Sequence, residues 1–241
     1  MTGAFAADTR VFADADLLAD AAADLFVKIA AESILARGVF RVALAGGTTP
    51  ERTHRRLATD QRRSGVDWLR VDIYFGDERC VPPSAPERND RAARASLLDH
   101  VPILSRNVHS IAAEAPDGAE RYEALLLREF KSAPGELPRF DLIFLGIGPD
   151  GHTASLFPGH SALAEAERIV IRIDDSPKPP PERVTFTLPL LNAARTVAFL
   201  AEGSDKRDAC SRARRGDPSI PAGRVRPSEG RLLWFIDETA A

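Results

Sequence analysis

The chain has 241 residues, 44% of them apolar and 28% charged, the mix of an ordinary soluble globule, and it is long enough to bury a full core without disulfides or a structural metal. Lys and Arg number 32 against 35 Asp and Glu, giving a net charge of −3 and a pI near 6.0, so no global basic field exists to attract nucleic acid. No apolar run approaches the roughly 20 residues that span a bilayer, which excludes a membrane helix.

Residues 11–13 suit a short edge strand. Asp14 or Asp16 then caps a helix to about Arg37, with Leu17, Leu18, Ala21, Leu25, Ile29 and Ala30 at helical spacing and Gly38 as the stop. No basic segment followed by an apolar one precedes this helix, so no signal peptide is expected. Residues 39–45 form a short apolar strand running into Gly46, Gly47, Thr48, Thr49 and Pro50, and a helical pattern follows through Leu57. Two glycines let the backbone approach an anion closely. Thr48 and Thr49 supply hydroxyls and a candidate N-cap, and Pro50 suits the first helical position. The free N–H groups and helix dipole make this turn an anion site, with phosphate its usual occupant. It is neither a Walker loop nor GxGxxG, so no nucleotide is implied.

Residues 71–75 read as a buried strand ending in the charged cluster Gly76, Asp77, Glu78, Arg79. Cys80 follows it, but no His lies nearby in sequence. With Cys210 far away and no CxxC spacing, both read as bystander thiols of a reduced, cytoplasmic chain. Pro82, Pro83 and Pro86 stiffen the next loop, and a helix starts at Asn89 and ends before His100. Residues 108–111 suit a short strand. Asp117 and Glu120 resemble a capping pair for a helix carrying Tyr122, Leu125, Leu126 and Phe130.

The most informative stretch is residues 141–158. Leu142 to Leu145 is a short apolar run, as expected for a strand buried on both faces of a parallel sheet. Gly146, Gly148, Pro149, Asp150 and Gly151 then break it into a tight loop. In open α/β sheets, loops at the carboxyl ends of strands are where ligands bind. Asp150 and His152 in this loop suit a general base held by a carboxylate; the alternative is a turn aspartate beside a surface histidine.

Beyond it lie a helical turn at 163–167, an alternating strand at 169–173 and a polar, Pro-rich surface loop at 174–181. An alternating strand from Arg183 is closed by Pro189, and a strand at 197–200 ends at Gly203. Ser204 caps a helix containing Lys206, one of four lysines in an Arg-rich chain. A last strand occupies 232–236. The alternation of strands and helices predicts one α/β domain over residues 1–241, with a largely parallel sheet between helical layers.

Four motifs now stand in order: AGGTTP at 45–50, GDER at 76–79, GIGPDGHTASLFPG at 146–159 and RVTFTLPLLNAA at 183–194. GSDKR at 203–207 and the ending LLWFIDETAA support them. Together the chain closely resembles the 6-phosphogluconolactonase family of the pentose phosphate pathway, over nearly its whole length. The resemblance implies a Rossmann-like three-layer α/β/α fold, that of the glucosamine-6-phosphate deaminase and ribose-5-phosphate isomerase group. It implies hydrolysis of 6-phospho-D-glucono-1,5-lactone, a small-molecule phosphosugar substrate, with no cofactor. From the residues themselves no metal and no nucleic-acid or membrane partner is expected, and the chain is taken as a monomer or small homo-oligomer.

The motif match puts His152 in the base role. Asp150 either orients His152 or binds a sugar hydroxyl; two residues of separation do not decide which. Arg79 is the candidate for the carbonyl's developing charge, and Asp77 either binds sugar hydroxyls or fixes Arg79. The phosphate is expected on Gly46, Gly47, Thr48 and Thr49, with Arg183 and Lys206 as cations. Two positions depart from the family pattern: Ala45 and Arg88 each stand where Ser is frequent. Ala45 lacks a hydroxyl and is given no binding role. Two other readings share these features: a glucosamine-6-phosphate deaminase/isomerase, which also carries a DGH element, and a non-catalytic sugar-phosphate sensor. His152, Asp77, Glu78 and Asp150 could converge on a metal, but no HExxH or Cys cluster accompanies them. His54, His100, His109 and His160 have no partner motif and read as structural or surface groups.

Overall fold

The computed structural model describes residues 7–241. In chain order its elements are β1 (Asp8–Phe12), α1 (Ala15–Arg37), β2 (Phe40–Leu44), α2 (Thr48–Leu57), α3 (Asp60–Ser64), β3 (Val71–Phe75), β4 (Asp77–Arg79), α4 (Asn89–Ser96), α5 (Gly118–Phe130), β5 (Leu142–Leu145), β6 (Val170–Ile173), β7 (Arg183–Phe186), α6 (Leu188–Asn192), β8 (Thr196–Ala201), α7 (Arg207–Arg215), α8 (Pro221–Arg224) and β9 (Arg231–Asp237).

Six strands form one sheet in the order β1-β9-β8-β5-β2-β3, and every pairing in it is parallel. The chain leaves β2 for its neighbour β3, then returns to the other side of β2 to form β5. That reversal opens a crevice at the carboxyl ends of β2 and β5, the place where such sheets bind ligands. β5 is buried along its whole length, as an interior parallel strand must be.

A second sheet, absent from the sequence reading, has the order β4-β7-β6 with antiparallel pairing. The GDER cluster is therefore not a loop: Asp77, Glu78 and Arg79 are themselves a strand. Gly76 joins the two sheets, its N–H donating to the Leu44 carbonyl and its own carbonyl accepting from Phe186 N–H. One continuous apolar core runs beneath both sheets. Among the described residues no helix is long and apolar enough to cross a membrane.

Several local expectations shift. Asp14 caps α1 by accepting from Leu17 N–H at 2.8 Å, but the buried stripe is Leu18, Ala22, Phe26, Ile29 and Ala30, while Leu17 is half exposed. The stripe follows i, i+4 from Leu18, so Leu17 falls one position outside it. Phe26 meets Phe40 edge-on at 5.0 Å and Trp68 at 5.7 Å. Residues 108–111 pair only through one bridge, Ile73 to Val108. Asp117 sits at the N-cap of α5 but makes no capping bond; its carboxylate accepts from Arg121 instead. Residues after Phe186 turn into α6 rather than extending β7.

The rotated stripe sets a contrast. Phe26→Ala should cost about 3–5 kcal/mol in urea unfolding, as a large core aromatic does, and Leu17→Ala about 0.5 kcal/mol or less. Equal losses would contradict this packing.

Candidate active site

The carboxyl ends of β2, β3, β5 and β8 share one edge of the sheet because all four run parallel. Their following loops line a cleft of about 270 Å³. Gly46, Gly47, Thr48, Thr49, Asp77, Arg79, His152, Arg183 and Lys206 all lie on its wall, together with Ala45, Asn89, Gly148 and Ala154. Of the residues given a catalytic or binding role from sequence, Asp150 alone stands behind this lining, against His152.

On one side is the start of α2. Its N-cap is Gly47, not a threonine; Thr48, Thr49 and Pro50 form the first turn. Pro50 is third rather than first, a position whose N–H also lacks an intrahelical acceptor. The N–H groups of Thr48 and Thr49 head the helix, where free donors and the helix dipole favour an anion. Lys206 closes this end, its Nζ donating to the Glu202 carbonyl at 3.0 Å and lying 3.3 Å from the Asp205 carboxylate. Gly46 cannot carry a side chain: a Cβ there would lie 1.9 Å from Asn89 Oδ1.

The floor is held by buried polar groups. Asp77, in β4, accepts from Ser155 Oγ at 2.7 Å and from Asn89 Nδ2 at 3.1 Å. Glu78 points away and is fully buried. Its two oxygens accept from the backbone N–H groups of Arg79, Asn89 and Asp90, capping α4 from outside. Burial raises its pKa to about 7 against these bonds and the Arg88 charge. Arg88 is also buried, bonded to Asp90, Glu114 and the Ile111 carbonyl. The departure at position 88 is thus a structural cation behind the site. Arg79 donates from Nη1 to the Glu87 carbonyl, while its buried Nε has no partner among the described residues.

On the other side is the imidazole. His152 Nδ1 lies 2.5 Å from Asp150 Oδ1, and Lys178 Nζ lies 3.5 Å from Asp150 Oδ2 and 3.3 Å from Nδ1. Burial would raise the Asp150 carboxyl, but the hydrogen bond and charge of His152, aided by Lys178, outweigh it and hold it low. An ionised carboxylate only accepts, so Nδ1 carries the proton and Nε2 keeps a free lone pair. Burial pushes the His152 pKa below 6.5, Lys178 adding to the effect and Asp150 opposing it. The ring packs on Phe157 at 5.0 Å. Gly148 makes room for it, since a Cβ at 148 would sit 2.0 Å from His152 Cε1.

A family model described as glucosamine-6-phosphate isomerases/6-phosphogluconolactonase matches residues 13–234. The chain belongs to this family. A 6-phosphogluconolactonase of Homo sapiens is 42% identical over 237 residues, covering 96% of this chain and 91% of that protein. One of Streptomyces coelicolor is 40% identical over 241 residues, covering 96% and 92%. The crystal structure of the 6-phosphogluconolactonase from Thermotoga maritima matches with a TM-score of 0.83 at 30% identity, over 97% of this chain and 100% of that one.

Beside these family features lie residues that sequence reasoning passed over. Lys178 falls in the stretch read as a Pro-rich surface loop, 26 residues from His152; its only signal was the scarcity of lysine. Ser155 and Asn89 lay inside recognised stretches but gained a role only through contact with Asp77. Arg183 does more than face the cleft: its guanidinium donates to the carbonyls of Pro180 at 2.8 Å, Pro179 at 3.0 Å and Lys178 at 3.3 Å.

The remaining histidines are occupied elsewhere. His54 is buried on Ser96 with its pKa lowered to about 4 by burial and Arg55, and His109 stacks on Tyr74 at 4.4 Å. His160 bonds Asp175 and His100 the Ala95 carbonyl. Burial raises the Cys80 thiol to about 11, leaving it protonated and a poor nucleophile. With Glu78 turned into the α4 cap, no three His, Cys, Asp or Glu side chains among the described residues converge on a metal position.

These electrostatics predict that His152, followed by ¹⁵N NMR, titrates with a midpoint below 6.5 and carries its proton on Nδ1 at pH 7.5. A midpoint at or above 6.5, or an Nε2–H tautomer, would contradict the arrangement.

Proposed function

We propose that this protein hydrolyses 6-phospho-D-glucono-1,5-lactone to 6-phosphogluconate, the lactone-opening step of the pentose phosphate pathway, with His152 as general base. The observation that carries the reading is the single cleft with an anion-binding helix start at one end and a neutral, carboxylate-oriented imidazole at the other. Membership of the family, and relatives about 40% identical that are 6-phosphogluconolactonases, support the same reaction. The two free thiols suit a reducing compartment, and we place the reaction in the cytoplasm.

The phosphate lies against the N–H groups and hydroxyls of Gly46, Gly47, Thr48 and Thr49, with Lys206 beside it. This sets the lactone ring toward His152. Nε2 takes a proton from a water whose oxygen attacks the carbonyl carbon C1. The carbonyl electrons move onto oxygen, where the guanidinium of Arg79 on the cleft wall supplies a charged donor. Collapse breaks the bond from C1 to the ring oxygen, which takes the proton back from Nε2 and leaves as the C5 hydroxyl. Asp77, held by Ser155 and Asn89, is an acceptor for a sugar hydroxyl. A lactone already hydrolyses slowly in water, so the catalyst supplies ~6 kcal/mol, low for an enzyme. One base contributing about 10²–10⁴-fold and one oxyanion donor cover that amount.

The test is lactone hydrolysis coupled to 6-phosphogluconate oxidation, with background hydrolysis subtracted. His152→Ala should lower kcat by about 10²–10⁴-fold with little change in KM; near-parent turnover would remove His152 from the mechanism. Lys206→Ala should chiefly raise KM. Arg183→Ala should raise KM and also lower kcat, because the carbonyls of residues 178–180 lose their donor. Unchanged KM in both variants would refute these anchors. Gly148→Ala, which drives a methyl into the imidazole, should cost about 10²-fold in kcat; parent-like turnover would show that the ring position is not critical. Ammonia release from glucosamine 6-phosphate in place of lactone turnover would move the assignment to the deaminases.

A further inference from the structure

Lys178 lies on the loop between β6 and β7, outside the lining of the cleft. Its ammonium instead reaches the back of the imidazole pair, 3.5 Å from Asp150 Oδ2 and 3.3 Å from His152 Nδ1. The backbone that carries it is fixed from two sides. Ser176 Oγ donates to the Lys178 carbonyl at 2.9 Å and accepts from Lys178 N–H at 3.2 Å. The Arg183 guanidinium ties down the carbonyls of residues 178, 179 and 180. A lysine on a mobile surface loop would need neither.

We propose that Lys178 is a positioning residue for the proton transfer: its ammonium grips the outer oxygen of Asp150, so that the inner oxygen holds the His152 proton on Nδ1 and leaves Nε2 free as the base. This rests on the reading of His152 as the base. Two donors cannot share one lone pair. With Nδ1 protonated, Lys178 has no acceptor on the ring, and Asp150 Oδ2 is its partner. The ammonium then has a second effect through space. Asp150 from the same loop and Asp77 from β4 both favour a second proton on the ring, while Lys178 and burial oppose it. The imidazolium formed when Nε2 takes the water's proton is correspondingly the stronger acid, and it returns that proton to the departing ring oxygen. No net proton is stored on the pair over the cycle.

The test uses the full chain with Lys178→Met and Lys178→Arg, reading the His152 ring by ¹⁵N NMR and the pH profile of lactone hydrolysis in parallel. In Lys178→Met the His152 midpoint and the rising limb of kcat should both move to higher pH, with the loss in rate greatest on the acid side and KM held within about twofold. Lys178→Arg, which keeps the charge, should restore both curves toward the parent. An unmoved His152 midpoint in a folded Lys178→Met protein would overturn the proposal outright. A midpoint that moves without the rate profile would overturn the catalytic role and count against His152 as the base. A rise in KM alone would show that Lys178 binds substrate instead.

Discussion

The structure depends on the parallel alignment of β2, β3, β5 and β8. Parallel strands all deliver their carboxyl ends to one edge, so residues 46–49, 76–79, 146–152 and 203–206 meet although they span most of the chain. The reversal between β2 and β5 keeps that meeting place open, because the loops there turn to opposite faces of the sheet. An interior strand such as β5 can only be apolar, and the chemistry is displaced to its end, where the backbone leaves the sheet.

The small antiparallel sheet supplies what the parallel one cannot. A strand in a parallel sheet flanked by helices buries both faces, leaving no wall on which to mount charges. Gly76 breaks β3 and starts β4, which presents Asp77 to the cleft and Glu78 to the interior. Burying Glu78 is costly in isolation, and three backbone N–H groups offset it at the head of α4. That cap fixes Asn89, which meets Asp77, and it explains why Gly46 has no room for a side chain. Arg88 extends the same logic outward through Asp90 and Glu114.

The imidazole is surrounded by opposing influences. Asp150 draws a proton toward the ring, and burial with Lys178 repels one; burial is the largest of these, so the ring stays neutral. The same carboxylate decides which nitrogen bears the proton. Gly148 adds a steric condition, since a Cβ there would occupy the place of the ring. A base that is neutral, correctly tautomeric and fixed in place needs all three.

Local sequence encodes the parallel α/β class, most strand positions and the anion-binding turn, because each is a short-range pattern: an apolar run, a glycine turn, a charged residue at a strand end. Asp77, Arg79, Asp150 and His152 stand out in the same way, whereas Arg183 and Lys206 are picked out by the family resemblance, since neither lies at the carboxyl end of a strand. Only the tertiary structure decided that GDER is a strand of a second sheet, that Gly47 and not a threonine caps α2, and that Phe26 rather than Leu17 faces the core. It likewise decided that Asp150 contacts the ring and that Lys178 stands behind it. Those facts depend on contacts between residues far apart in the chain, and no local spacing encodes which distant loop a strand end will meet.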